Sequence, residues 1–136
     1  PPRSTLFPYT TLFRSPLAND VLSVARALAS DGAELTALHV IEELPNYVAS
    51  QIPAELLTDR KPQAEAELTA ELGGVPNVKP VVVYGHAGRT IVSFAEEEGI
   101  DCIVIASHKP GIQDLFIGST AQRVVRHATC AVHILR

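Results

Sequence analysis

Residues 101–136, DCIVIASHKPGIQDLFIGSTAQRVVRHATCAVHILR, decide the fold. They read as strand, polar loop, helix and strand. Cys102 to Ala106 is a short continuous apolar run with β-branched residues, the pattern of a strand covered on both faces. Ser107, His108, Lys109, Pro110 and Gly111 interrupt it. Gly118-Ser119-Thr120 then opens a helix, where glycine frees the backbone and a hydroxyl can cap unpaired N–H groups. Val124, Val125 and Ala128 fall on one side of that helix, with Arg123 and Arg126 elsewhere on the wheel. Cys130 to Leu135 is β-rich again.

In an open parallel sheet, ligands sit beyond the carboxyl ends of the strands. A helix that starts there offers bare N–H groups and a partial positive charge, which suits phosphate. Ser119, Thr120 and Lys109 would add hydroxyl and cationic donors. The plainer reading of Gly118-Ser119 is a helix cap.

The stretch SHKPGIQDLFIGSTAQRVVRHATCAVHILR resembles the C-terminal end of the universal stress protein (UspA) family. Nucleotide-binding members of that family carry a motif of Gly, two residues, Gly, nine residues, then Gly-Ser or Gly-Thr. A helix that often ends Arg-His-Ala follows. Gly118-Ser119 and Arg126-His127-Ala128 match. Ala106 and Lys109 stand where the two glycines would be, and the spacing to Gly118 is one residue short. The His-x-Pro form with a shortened loop resembles one branch of the family. The resemblance extends back to about Leu17. It implies an adenine nucleotide, ATP or AMP, whose sugar and phosphates meet Ala106, Ser107, His108, Lys109, Gly118, Ser119 and Thr120. It also implies that the backbone of Val40, in the pair His39-Val40, touches the base. Asp114 reads either as a magnesium-side carboxylate or as a turn or helix-start residue.

A chain of 136 residues is one domain by length, and 46% hydrophobic residues suffice for a core. No apolar run approaches a membrane span and no stretch has the pattern of a secretory signal, so a cytoplasmic protein is expected. The net charge of −4, with both signs scattered, argues against a nucleic-acid surface. An anionic ligand must then be held by local geometry. Cys102 and Cys130 read as small core residues in a reducing compartment. The five histidines show no metal-ligand spacing, and Glu96-Glu97-Glu98 point in different directions on a helix, so no metal site is expected.

Residues 1–15, PPRSTLFPYTTLFRS, do not read like the rest. Thr-Leu-Phe occurs twice, and the segment resembles translated sequencing-adapter sequence. It is taken as a non-native stretch standing in for the first strand, with residues 16–136 forming the domain. The family's first strand ends in an Asp that contacts the nucleotide, and no Asp precedes Pro16. Tyr9 to Phe13 has the β-propensity to fill the vacant central slot.

Leu17, Val21, Val24, Ala25 and Leu28 recur at helical spacing from about Pro16 to Ser30. Glu34 to Ile41 is the next strand, and Glu42 to Ser50 a loop. A helix over 53–72 is interrupted by Pro62, which predicts a kink or two pieces. Val78 to Tyr84 is a third strand whose Pro80 favours an edge. Ile91, Val92, Phe94 and Ala95 belong to the helix that follows.

Alternating strands and helices with short links specify a doubly wound parallel sheet. A flavodoxin-like order 3-2-1-4-5 with helices on both faces is expected. The last strand, Ala131 to Leu135, would be the second edge. The resemblance, together with an apolar edge lacking charges, implies a homodimer through it. Two readings of function stay open: a cytoplasmic, non-catalytic ATP- or AMP-binding stress protein, and a dimeric interaction module of the same fold that binds no nucleotide. The altered glycines, the short loop and the absent Asp favour the second, and the retained Gly118-Ser119 and Lys109 oppose it. A phosphorelay receiver or enzyme ranks last, because no acidic pair and no Walker loop is present.

Overall fold

A computed structural model of the chain describes residues 4–8, 16–107 and 117–135. The elements run β1 (Ser4–Pro8), α1 (Pro16–Leu28), β2 (Glu34–Glu42), α2 (Asn46–Ala49), a 3-10 turn (Ala54–Leu56), α3 (Lys61–Leu72), β3 (Val78–Gly85), α4 (Ala87–Glu97), β4 (Cys102–Ala106), α5 (Ser119–His127) and β5 (Ala131–Leu135). All the strand pairings are parallel, in the order β3-β2-β1-β4-β5. This is the open flavodoxin-like arrangement expected from the alternation of strands and helices.

Side-chain alternation divides the core in two. In β4, Cys102 and Val104 face one cluster while Ile103 and Ile105 face the other. In β2, Leu35, Ala37 and Ile41 join the first, and Leu38 and Val40 the second. A strand with a helix layer on each side must be apolar at both parities, which is why these strands read as continuous runs. Val21 and Ala25 of α1, with Ala64, Leu68 and Leu72 of α3, cover the first face. Ile91 and Ala95 of α4, with Ala121 and Val124 of α5, cover the second. The edge strands β3 and β5 are mostly exposed and half-buried, with Val82 of β3 buried in the first core. Among the described residues no helix is long and apolar enough to cross a membrane.

Three local expectations are corrected or narrowed. The central slot is filled by Ser4–Pro8, not by Tyr9–Phe13, and residues 9–15 lie outside the described residues. Register explains the choice: Ser4 to Pro8 pair in order with Glu34 to Leu38 on one side, while Thr5 and Leu6 pair with Cys102 and Ile103 on the other. The N–H of Asp101 also donates to the Ser4 carbonyl at 2.9 Å. Second, the helix expected over 53–72 takes the two-piece form of the two that Pro62 allowed, a 3-10 turn at Ala54–Leu56 and α3 from Lys61, with no kink at the proline. Pro62 lies in the first turn of α3, where an amide N–H has no intrahelical acceptor to lose. Third, the stretch after β2 contains the short helix α2 rather than loop alone. At the other end of α3, Gly73 adopts φ 53°, and its N–H closes the helix onto the carbonyls of Thr69 and Ala70.

Candidate functional site

A parallel sheet directs the carboxyl ends of its strands, and the starts of the helices that follow them, to one end of the molecule. β2 ends there at Glu42, β3 at Gly85 and β4 at Ala106, with α4 starting at Ala87 and α5 at Ser119. The strand order reverses between β1 and β4, which makes that crevice the switch point.

The residues expected at the site separate into two groups. Ala106 is the last residue of β4, and Ser107 follows it half-buried. The Ser107 N–H donates to the carbonyl of Leu135 at 2.8 Å, fixing the strand end against β5. The Ser107 hydroxyl oxygen accepts a hydrogen bond from the Gly118 N–H at 2.9 Å. Residues that flank the loop are thereby joined, and the end of β4 meets the front of α5. His108, Lys109 and Asp114, named above, lie outside the described residues. Val40 is on β2, two strands from β4 and therefore about 10 Å away across the sheet. Its side chain is only 9% exposed and packs in the core beneath α4, so it has only backbone to offer.

One detail of the helix start differs from expectation. No side-chain hydroxyl of α5 caps its own first turn: Gly118 is the N-cap and carries no side chain. The cap is instead the bond from Gly118 to Ser107, supplied from across the loop. The first intrahelical bond is Gln122 N–H to the Gly118 carbonyl at 2.8 Å. The N–H groups of Ser119, Thr120 and Ala121 thus lie ahead of the helix's own ladder.

Two hollows lie at this end. One, of about 260 Å³, is lined by His86, Ser119, Gln122, Arg123, Arg126 and His127. The other, of about 300 Å³, is lined by Glu42, Glu43, Leu44, Pro45, Asn46, Gly85 and His86. His86, the N-cap of α4, is a wall of both, with cations on one side and carboxylates on the other. Glu42 reaches the start of α4, where its carboxylate accepts from the Ala87 N–H at 3.4 Å, a long bond. Its main-chain carbonyl accepts from the Arg60 guanidinium at 2.9 Å.

The arginine stripe has a signal in the sequence. Ser119, Arg123, Arg126 and His127 recur at i, i+4, i+7 and i+8, one face of a helix. What the sequence could not supply was His86, which reaches the same hollow from another element. Among the described residues there is no cluster of three or more groups fit to hold a metal ion.

Comparison with known proteins agrees with this architecture. Residues 6–136 match the Universal stress protein family. A universal stress protein of Thermus aquaticus is 35% identical over 124 residues, covering 88% of this chain and 90% of that one. The solved universal stress protein UspA from Lactobacillus plantarum superposes with a TM-score of 0.75 at 27% identity, covering 98% of this chain and 97% of that one. The fold is shared as well with a universal stress protein in complex with cAMP (TM-score 0.63, 16% identity, covering 99% of this chain and 97% of that one) and with one from Archaeoglobus fulgidus in complex with dAMP (TM-score 0.67, 18% identity, 98% and 97%). With a family match over nearly its whole length, the chain belongs to the universal stress protein family.

Proposed function

We propose that this chain is a cytoplasmic stress-response protein that binds an adenine nucleotide, ATP or AMP, without catalysing a reaction on it. The observation that carries the reading is the bond between the Ser107 hydroxyl and the Gly118 N–H. It seats the start of α5 at the switch point of the sheet, where the N–H groups of Ser119 and Thr120 and the helix dipole favour a phosphate. Val40 lies about 10 Å across the sheet from β4, a span that an adenosine can bridge with its base against the β2 backbone. The cAMP and dAMP complexes of proteins with this fold support the ligand class. A triphosphate would bring magnesium with it. The proposed assembly is a homodimer through β5, whose outer backbone edge pairs with no strand among the described residues.

A second reading has its own support. The Gly118 N–H, which a phosphate would otherwise use, is already satisfied by Ser107, and Ala106 stands where a glycine would allow closer approach. These favour a dimeric interaction module that binds no nucleotide. Calorimetric titration with ATP and with AMP decides between the two. Heat saturating below millimolar ligand, weakened in Ser107→Val, sustains the first reading. Silence at millimolar ATP and AMP overturns it in favour of the second. A protein that binds without catalysis must also leave ATP intact over hours, with no phosphate released above the buffer blank. Light scattering that returned a monomer at working concentration would remove the dimer.

A further inference from the structure

The hollow between α4 and α5 is a separate feature with its own chemistry. Among the described residues its walls hold two guanidinium groups, two imidazoles, an amide and a hydroxyl, and no carboxylate. That composition is out of keeping with a chain in which 15 acidic residues outnumber 11 basic ones. Among the described residues neither Arg123 nor Arg126 forms an ion pair. Like charges that share one cleft repel each other, and an anion placed between them removes that repulsion.

The cleft is built around a fixed arginine. Gly88 is buried in the first turn of α4, against α5. A Cβ added there would lie 2.6 Å from the Arg123 Cδ and 3.1 Å from its Cβ and Cγ. Only a residue without a side chain lets the Arg123 stem lie on the α4 backbone, and contact with that backbone holds the guanidinium at the cleft. Arg126 stands one turn further along α5, about 5 Å down the axis. From Ser119 to Arg126 the polar face extends about 10 Å. Guanidinium forks one turn apart, with hydroxyl and amide donors beside them on the same helix, suit neighbouring phosphoryl groups better than one compact ion.

We propose that the α4/α5 cleft binds a condensed phosphate, pyrophosphate or longer, through Arg123 and Arg126. The phosphate chain has two sources with the same chemistry: a free inorganic anion, or the tail of a nucleotide seated at the start of α5. Ser119 belongs to both places, so the second source rests on the nucleotide reading and the first does not.

Heteronuclear NMR titration of the full chain, at fixed pH and ionic strength, tests this. The imidazole signals of His86 and His127 report on the cleft, and the amides of Ser107 and Gly118 report on the nucleotide seat. The probes are inorganic phosphate, pyrophosphate, tripolyphosphate, AMP and ATP. The expected result is that pyrophosphate and tripolyphosphate shift both imidazoles and bind about tenfold more tightly than phosphate, a difference of about 1.4 kcal/mol. R123Q/R126Q, whose changes lie at half-buried and exposed positions, should lose that tenfold and level the series. Arg126→Lys should recover part of it as a point charge. Shifts produced by ATP but by neither free anion nor AMP also support the cleft, and assign it to the nucleotide tail. Equal affinity for phosphate and tripolyphosphate, or a double variant that titrates like the wild type, overturns the proposal. AMP shifting the Gly118 amide in that same variant shows the nucleotide seat intact, so the two readings fail separately.

Discussion

β4 and β1 lie side by side in the middle of the sheet and hold their places by different means. β4 is held by its side chains: Ile103, Val104 and Ile105 are at most 1% exposed and feed alternately into the two cores. The holds described for β1 are backbone ones. It pairs on both sides, its Ser4 carbonyl accepts from Asp101, and its Ser4 N–H donates to the Asp101 carboxylate at 3.2 Å. Inside it, Thr5 is completely buried with a hydroxyl that has no hydrogen-bond partner. A slot between two formed parallel strands presents unpaired donors and acceptors on both sides. Any short extended segment in register can answer them. Side-chain fit then decides how well the slot is held, not whether it is filled.

The largest test of this contrast is Ile103→Ala. Removing a fully buried side chain that packs against α4 and α5 should cost about 2–5 kcal/mol, read from the midpoint of a denaturant melt. The matching change in β1, Thr5→Ala, should cost much less, because the hydroxyl it removes is unsatisfied. Equal losses in the two strands would break the comparison. Thr5→Val sharpens it further. The shape is kept and an unpaired buried hydroxyl is removed, so stability should rise by about 1 kcal/mol. A loss on that substitution would mean that the hydroxyl is bonded after all.

The two strands were also unequally legible. The run Cys102–Ala106 announces its place by composition, since only a doubly covered strand is apolar at both parities. β1 does not, because Ser4–Pro8 offers no such pattern and Tyr9–Phe13 has the stronger β-propensity. Pairing register chose the slot's occupant, and register depends on β2 and β4, far away in sequence. Pro62 was legible only as a choice: proline marks a helix boundary as readily as a kink, and the structure takes the boundary, with α3 starting at Lys61. At the site, Gly118-Ser119 was legible as a helix start. That the capping hydroxyl belongs to Ser107, 11 residues earlier, was not, because it needed the end of β4 to lie against the start of α5. Likewise Arg123 was visible as a charge on a wheel. Its seat on Gly88 needed the packing of α4 against α5.

The cysteines extend the contrast to the edge. Cys102, inside β4, is 4% exposed, while Cys130, just ahead of β5, is half-buried. Burial raises both thiols above their ordinary pKa, so both should react slowly with iodoacetamide in the folded chain. Cys102 should be slower than Cys130 by an order of magnitude or so, because it also lacks access. Mass spectrometry of timed digests measures this. Comparable rates would mean that β4 opens as readily as the edge.

β3 supplies the smallest effect and a third way of holding a strand. Tyr84 near its end is 39% exposed, too open for core packing to fix it. A side-chain clasp does so instead. Its hydroxyl donates to the Asp59 carboxylate at 2.6 Å and accepts from the Arg60 N–H at 3.1 Å, while the Lys61 N–H donates to the same carboxylate oxygen at 3.0 Å. The hydrogen bond from Tyr84, followed by that from Lys61, holds the Asp59 carboxyl below its usual range. The bond to Asp59 raises the Tyr84 phenol above its own. The signs then bound a window. The Asp59 contribution is complete above the unfolded carboxylate pKa of about 3.9 and fades as pH falls through the lower folded value. The Tyr84 contribution is complete below the unfolded phenol pKa of about 10 and fades as pH rises through the higher folded value. Solvent keeps both effects small, so they are best read from titration rather than from a melt. Ultraviolet difference titration should show one late-ionising phenol that disappears in Tyr84→Phe and returns to the ordinary range in Asp59→Asn. A Tyr84 that ionises in the ordinary range in the unsubstituted chain would leave this edge held by the β2–β3 backbone ladder and the burial of Val82.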